Sequence, residues 1–295
     1  MITAKRSVAL LLVSMTYLFG LVVFFAVYES LGIDSVLWRS LIADAAMTLA
    51  VFLGSIILNN SSAYDPYWSL FPPFLFGFWI VRYGRLDLVS ALLFVLTTIW
   101  ALRLTQNWLA GWRGLQQEDW RYREFRESFG WLYWPVSLLA IHMVPTISVF
   151  LAAVPAYFVF TEGVASVPVT AVAALVTAAA IYLEAIADLQ LQRFKREGGE
   201  GPCTVGLWRF SRHPNYLGEL GFWFGILLFG FAANAPWWSL AGMAVMVALF
   251  LGYSIPAMER KIEATRPSYR VVRDAVPALL PLPGRHLAPG DERVT

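Results

Sequence analysis

The chain has 295 residues, 58% of them hydrophobic and 14% charged, more apolar surface than a water-soluble domain hides, so it reads as an integral membrane protein. A net charge of +2 from 22 basic and 20 acidic residues excludes the broad basic field that nucleic acid follows. The single cysteine, Cys203, excludes an intrachain disulfide and a cysteine-cluster metal site.

Apolar runs long enough to cross a bilayer at about 1.5 Å per helical residue fall near 8–28, 37–58, 67–82, 87–109, 133–159, 167–190, 214–233 and 236–257. The first follows Lys5 and Arg6, but it is too long for a signal peptide and has no clear small-residue cleavage site, so it is expected to stay as a membrane helix. The fold class is therefore all-α, a polytopic bundle of seven to eight helices. Nothing repeats at a fixed period, so residues 1–281 are expected to form one domain. The tail from 282, "LPGRHLAPGDERVT", is expected to be disordered. Basic residues cluster at 5–6, 103–126, 193–212 and from Arg260 onward, which predicts a cytoplasmic face for those segments and for both termini. Arg82 and Arg85 are exceptions to this pattern.

Charges are costly within a bilayer, so those in or beside the spans are functional candidates. The stretch "NNSSAYDPYWSLFPP", 59–73, sets Asp65 and Tyr67 at the mouth of a helix, with helix capping and an aromatic belt as the alternative reading. In "IWALRLTQNW", 99–108, Arg103 either snorkels to headgroups or reaches an anion inside the bundle. The segment 111–130 is too polar for lipid and reads as cytoplasmic and amphipathic. In "YLEAIADLQLQRFKRE", 182–197, Glu184, Asp188, Gln192 and Lys195 share one helix face. Carboxylates that lead toward a basic helix end suit a ribose followed by a phosphate, though interhelical hydrogen bonds would also use them.

In "LWRFSRHPNYLGELGFWFG", 207–225, an apolar run begins with Arg209, Arg212, His213, Asn215, Tyr216 and Glu219. Its counterpart after the last span, "MERKIEATRPSYRVVRD", adds Glu259, Arg260 and Tyr269. Together these groups outline a cytoplasm-facing cavity whose cationic rim would bind the phosphates of a nucleotide cofactor, with apolar walls for a lipid-soluble substrate. A metal is not expected, because His142, His213 and His286 lie far apart without a second ligand at helical spacing.

The motif "GLWRFSRHPNYLGELGFWFG", with "NSSAYDPYWSLFP", "WALRLTQNW" and "EDWRYREFR", resembles the steroid 5-alpha-reductase C-terminal superfamily and its bacterial branch of uncharacterised membrane proteins. The resemblance covers about residues 55–281. It implies a helical bundle that binds NADPH from the cytosolic side and reduces the carbon–carbon double bond of an enone. Asn215 and Glu219 match positions that hold the nicotinamide end, Glu184, Asp188 and Lys195 the segment beside the adenosine, and Arg103 a phosphate contact. Asp65, Tyr67 and Trp100 fall near the substrate-carbonyl site, where the eukaryotic enzymes have a glutamine–glutamate pair absent here and a tyrosine in place of Trp100. The expected partners are a lipophilic substrate and membrane lipid, with no obligate protein partner, in a bacterial inner membrane. S-adenosylmethionine-dependent methyl transfer to a lipid or prenylated thiol is the alternative chemistry, and a transporter or structural subunit the non-enzymatic one.

Overall fold

In the computed structural model residues 5–287 are described. Among them the regular structure is helical, apart from one isolated bridge between Leu282 and Arg285. Seven helical stretches are long and apolar enough to cross a membrane: Arg6–Ser30, Val36–Leu58, Leu88–Gly111, Trp120–Glu162, Val167–Arg196, Pro214–Ala232 and Trp237–Thr265. The protein is thus a polytopic helical bundle. The stretch expected as one domain comprises two compact units. The first holds residues up to Tyr83 with Thr97–Val154, and the second holds Gly84–Leu96 with the chain from Pro155.

In the first unit, α1 (Arg6–Ser30) and α2 (Val36–Leu58) pack as an antiparallel pair, and α3 (Tyr67–Tyr83) follows. Ser35 starts α2 by accepting the Trp38 N–H at 3.4 Å. Asn59 stops it by adopting the left-handed conformation, φ 49°, in which its N–H reaches the Ile56 carbonyl. The helix α3 has 17 residues, with Pro72 and Pro73 inside it, about 25 Å of rise against a hydrocarbon core of about 30 Å. It nevertheless returns the chain to the end where α1 finishes. The Trp79 indole donates to Ser40 at 3.0 Å near the start of α2, and the Tyr83 and Tyr28 hydroxyls meet at 2.5 Å. Phe24 of α1 fixes this packing through edge contacts with Phe71, Phe74 and Phe78, all within 6.1 Å between ring centres.

The next helix, α4 (Leu88–Gly111), ends beside the start of α1, where Arg6 donates to the Leu109 carbonyl. Ala9, Val13, Leu58, Ala63, Trp112 and Leu115 close an apolar plug at this end. Then come the polar α5 (Trp120–Phe129), a short α6 (Tyr133–Val136), a π-helical stretch Ser137–Met143 and α7 (Val144–Glu162).

In the second unit, α8 (Val167–Arg196) and α9 (Pro214–Ala232) pack closely, with prolines at both starts, where a missing N–H costs nothing. Small residues permit the approach. A Cβ at Gly218 would stand 2.5 Å from the Glu184 Cβ, and one at Gly225 would strike Thr177. The last span runs through α10 (Leu240–Leu249), a π-turn Phe250–Ser254 and α11 (Ile255–Thr265), followed by α12 (Tyr269–Ala275). Most of the expected tail, 288–295, lies outside the described residues. Its first part is placed, with Leu287 buried against Tyr269, Val272 and Val276.

Arg82 and Arg85, the two exceptions to the basic pattern, both act at helix ends. Arg82 pairs with Glu29 at 3.3 Å, and Arg85 donates to the Thr161 and Glu162 carbonyls at the end of α7, each at 3.2 Å.

Candidate functional site

The expected site residues fall on both units. Asp65, Tyr67, Trp100 and Arg103 belong to the first, and Glu184, Asp188, Lys195, Arg209, Arg212, His213, Asn215, Tyr216, Glu219, Glu259, Arg260 and Tyr269 to the second.

In the first unit the polar run Asn59–Ser62 does more than cap a helix. The Asn60 amide donates to the carbonyls of Leu115 and Gln117 at 3.0 and 2.9 Å, while its oxygen accepts from the Ser62 N–H at 2.8 Å. The Ser61 N–H donates to Glu118 at 2.8 Å, and the Asp119 N–H donates to the Ser62 hydroxyl at 2.8 Å. Arg126 grips Glu118 with two nitrogens, at 2.8 and 3.1 Å, and lies over the Tyr133 ring. The run therefore ties the amphipathic segment down to the end of α2. A cavity of about 760 Å³ opens there, lined among others by Arg113, Gln117, Glu118, Arg123 and Arg126.

Asp65 and Tyr67, two residues apart, point to different partners. The Asp65 carboxylate accepts from the Tyr122 hydroxyl at 2.5 Å. Burial, and then the neighbouring charge of Asp119, push its carboxyl up to about 7, against the pull of the Tyr122 hydrogen bond and Arg121. Tyr67 instead donates at 2.7 Å to Asp44, a carboxylate of α2 with no exposed surface. The sequence reading passed over Asp44. The signal was present, since it is the one charge in the apolar run 41–58. The phenol of Tyr67 is thus already committed to a partner, whereas Asp65 carries an acid that changes charge near neutrality. Trp100 is fully buried, 6.1 Å from the Trp68 ring, and Arg103 lies on the same helix one turn on.

In the second unit the polar opening of 207–225 is where the C-terminal segment docks. The N–H groups of Arg212 and His213 donate to the carbonyls of Pro277 and Ala278, both at 3.0 Å. The Arg212 guanidinium donates to Glu259 at 2.7 Å and to the carbonyls of Arg273 and Val276, and Arg209 donates to the Leu287 carbonyl at 2.9 Å. The His213 ring meets the same Glu259 oxygen at 3.0 Å, and the Tyr269 hydroxyl donates to it at 3.3 Å. Burial, and then the Glu259 charge, raise the Tyr269 phenol above its ordinary value. Tyr216 stacks on His213 with ring centres 5.3 Å apart. These groups therefore form a clamp that closes on itself. Lys195 and Arg260 remain exposed.

Beside the clamp, Glu184 and Glu219 are buried, and the Glu219 carboxylate accepts from the Trp223 indole at 2.9 Å. Along α8 the face from Glu184 through Asp188 to Lys195 grades from buried to exposed. The Asn215 side-chain oxygen is buried and has no hydrogen-bond donor among the described residues. Those residues hold no group of three or more His, Cys, Asp or Glu arranged for a metal ion.

An uncharacterized protein of Schizosaccharomyces pombe is 28% identical, over 81% of this chain and 80% of its own length. No solved structure matches. The family described as "Protein of unknown function (DUF1295)" matches residues 51–276, from within α2 to the end of α12, and by that match the chain belongs to it.

Proposed function

We propose that this protein is a membrane-embedded, NADPH-dependent reductase of a carbon–carbon double bond in a lipophilic enone. The observation that carries the reading is the Asp65 carboxyl held at 2.5 Å by the Tyr122 hydroxyl, where burial pushes it up to about 7. The resemblance of 207–225 to the steroid 5-alpha-reductase C-terminal superfamily supports it. Bound NADPH would supply the hydride. The residues of the second unit fit such a group in one specific respect. The buried Asn215 oxygen lacks a donor, and a carboxamide N–H is its complement. Glu184 and Asp188 would accept from ribose hydroxyls, with Lys195 and Arg260 as cations for phosphate. Arg209 and Arg212 leave that set, because backbone carbonyls and Glu259 occupy them.

In this reading Asp65 in its neutral form donates a hydrogen bond to the substrate oxygen as negative charge develops there. Trp100 and its neighbours form a wall that excludes water. The same reading sets the protein in a bacterial inner membrane with the cofactor side toward the cytoplasm.

The test titrates the purified protein with NADPH, NADH and S-adenosylmethionine, following tryptophan fluorescence and thermal stability. NADPH should stabilise selectively, and Asn215→Ala should abolish that effect. Stabilisation by S-adenosylmethionine alone would transfer the pocket to methyl transfer and end the reductase reading. Asp65→Asn should then cut turnover at least tenfold with cofactor affinity unchanged; undiminished turnover would remove Asp65 from the mechanism.

A further inference from the structure

In the cavity at the end of the first unit the charges do not balance. Its lining includes three cations, Arg113, Arg123 and Arg126, and two carboxylates, Glu118 and Asp119. Both carboxylates are taken by neighbours. Glu118 accepts from two Arg126 nitrogens, at 2.8 and 3.1 Å, from the Ser61 N–H at 2.8 Å and from the Tyr133 hydroxyl at 3.3 Å. Asp119 caps α5 by accepting the Arg121 N–H at 2.9 Å, and it accepts from the Arg121 guanidinium at 2.8 and 3.2 Å. Among the described residues neither Arg113 nor Arg123 has a carboxylate within ion-pair distance. The cavity therefore carries two uncompensated positive charges.

Its size and construction narrow the ligand. At about 760 Å³ the space is far larger than a bare inorganic anion needs, and it falls in the range of about 300–1,000 Å³ that holds a small organic group. Arg113 lies just past the end of α4 and Arg123 in the first turn of α5, so the two cations reach the space from different elements. Each guanidinium offers five N–H donors in a planar fork that matches phosphate oxygens.

The setting indicates where the phosphate comes from. In α5, Arg121, Arg123 and Arg126 are interleaved with Trp120, Phe125 and Phe129, and the chain just beyond exposes Trp131 at 87% and Leu132 at 39%. A helix of arginines and aromatic rings that runs on into bare apolar side chains suits a bilayer surface better than water. At that depth lipid headgroups are the most concentrated phosphates, and those with a net negative charge gain most from unpaired arginines.

We propose that this cavity binds the phosphate-bearing headgroup of an anionic phospholipid, with Arg113 and Arg123 as its cations and the acyl chains left in the bilayer. The proposal uses no residue of the cofactor set and stands independently of the reductase reading.

The test titrates the full chain, purified in an uncharged detergent, with dioctanoyl phosphatidylglycerol, following melting temperature and, by native mass spectrometry, bound lipid. This lipid should raise the melting temperature and bind about tenfold or more tightly than dioctanoyl phosphatidylcholine, which has the same phosphate but no net charge. Arg113→Gln and Arg123→Gln should each weaken it about fivefold, and the double variant should lose the preference. Both side chains are exposed, so the variants should fold. Melting curves without lipid check this, and the single variants keep the test open if the double one fails. Three results would overturn the proposal. One is an unchanged lipid preference in the folded variants. Another is equal stabilisation by glycerol 3-phosphate, which would assign the site to a soluble phosphate ester. The third is displacement of the lipid by NADPH, which would give the cavity to the cofactor.

Discussion

Asp65 and Glu259 are both carboxylates at polar ends of the protein, yet their surroundings treat them in opposite ways. The fold favours the neutral form of Asp65, whose carboxyl rises from 3.8 to about 7. Stability from that group is therefore full below the unfolded value and is lost as pH rises through about 7. Asp65→Asn should remove this slope. Its stability relative to the parent should grow by on the order of 2 kcal/mol between about pH 5 and pH 8, after allowance for partial exposure, as read from melting curves at each pH. Glu259 is instead an anion ringed by donors. Glu259→Gln would leave Arg212 without its charge partner and destabilise by about 2–3 kcal/mol. It should also free the segment from Pro277 onward, which limited proteolysis would detect as faster cleavage after α12. Arg209 and Arg212 were readable as basic residues at a span entrance, but not as clamp members. Their carbonyl partners come from residues some sixty to eighty positions away, and no local pattern encodes such a pairing. Asp44 was legible by a simple rule, one carboxylate inside an apolar run. Its tie to Tyr67 depends on how α3 packs against α2.

At the scale of elements, hydropathy located the spans because lipid selects composition directly. It did not locate the two π-helical stretches, since a shift of hydrogen bonding from the fourth to the fifth residue leaves composition unchanged. The polar segment 111–130 reads from its composition as too hydrophilic for lipid. Its anchorage to Asn60, Ser61 and Ser62 was hidden, because those residues also suit a helix cap. Replacing Arg126 with Met should loosen that anchorage, raising amide exchange in residues 112–126 severalfold while α8 and α9 stay protected. The α8–α9 contact offers a sharper case. Gly218 faces the Glu184 backbone N and the Ala180 carbonyl, each 2.9 Å from where a Cβ would stand, so nothing nearby is a side-chain end that could swing away. Gly218→Val should force the helices apart and cost about 3 kcal/mol or more, visible as a large fall in melting temperature. Gly252, with open space around it, should tolerate alanine with little change.

For the whole molecule, the number of crossings decides where the termini lie. Among the described residues seven stretches are long and apolar enough to cross, and an odd number of crossings would put Lys5 and Leu287 on opposite sides. The geometry of the first unit adds a passage. By ending at Tyr28, α3 carries the chain back to the side where α1 ends, and α4 then comes down beside Arg6. With α3 counted as a crossing, the basic clusters at 5–6 and 103–126 lie at one end of the first unit, the end that the positive-inside rule predicts to be cytoplasmic. The same rule predicts that the native Cys203, in the loop between α8 and α9, is cytoplasmic and that Ser35, in the loop between α1 and α2, is on the other side. In sealed right-side-out vesicles a membrane-impermeant maleimide should leave the parent unlabelled until detergent opens the membrane. In a Cys203→Ser background, Ser35→Cys should label at once. The converse pattern would invert the assignment and move the cavity at Glu118 to the outer face. Labelling of both positions from one side would mean that α3 does not cross.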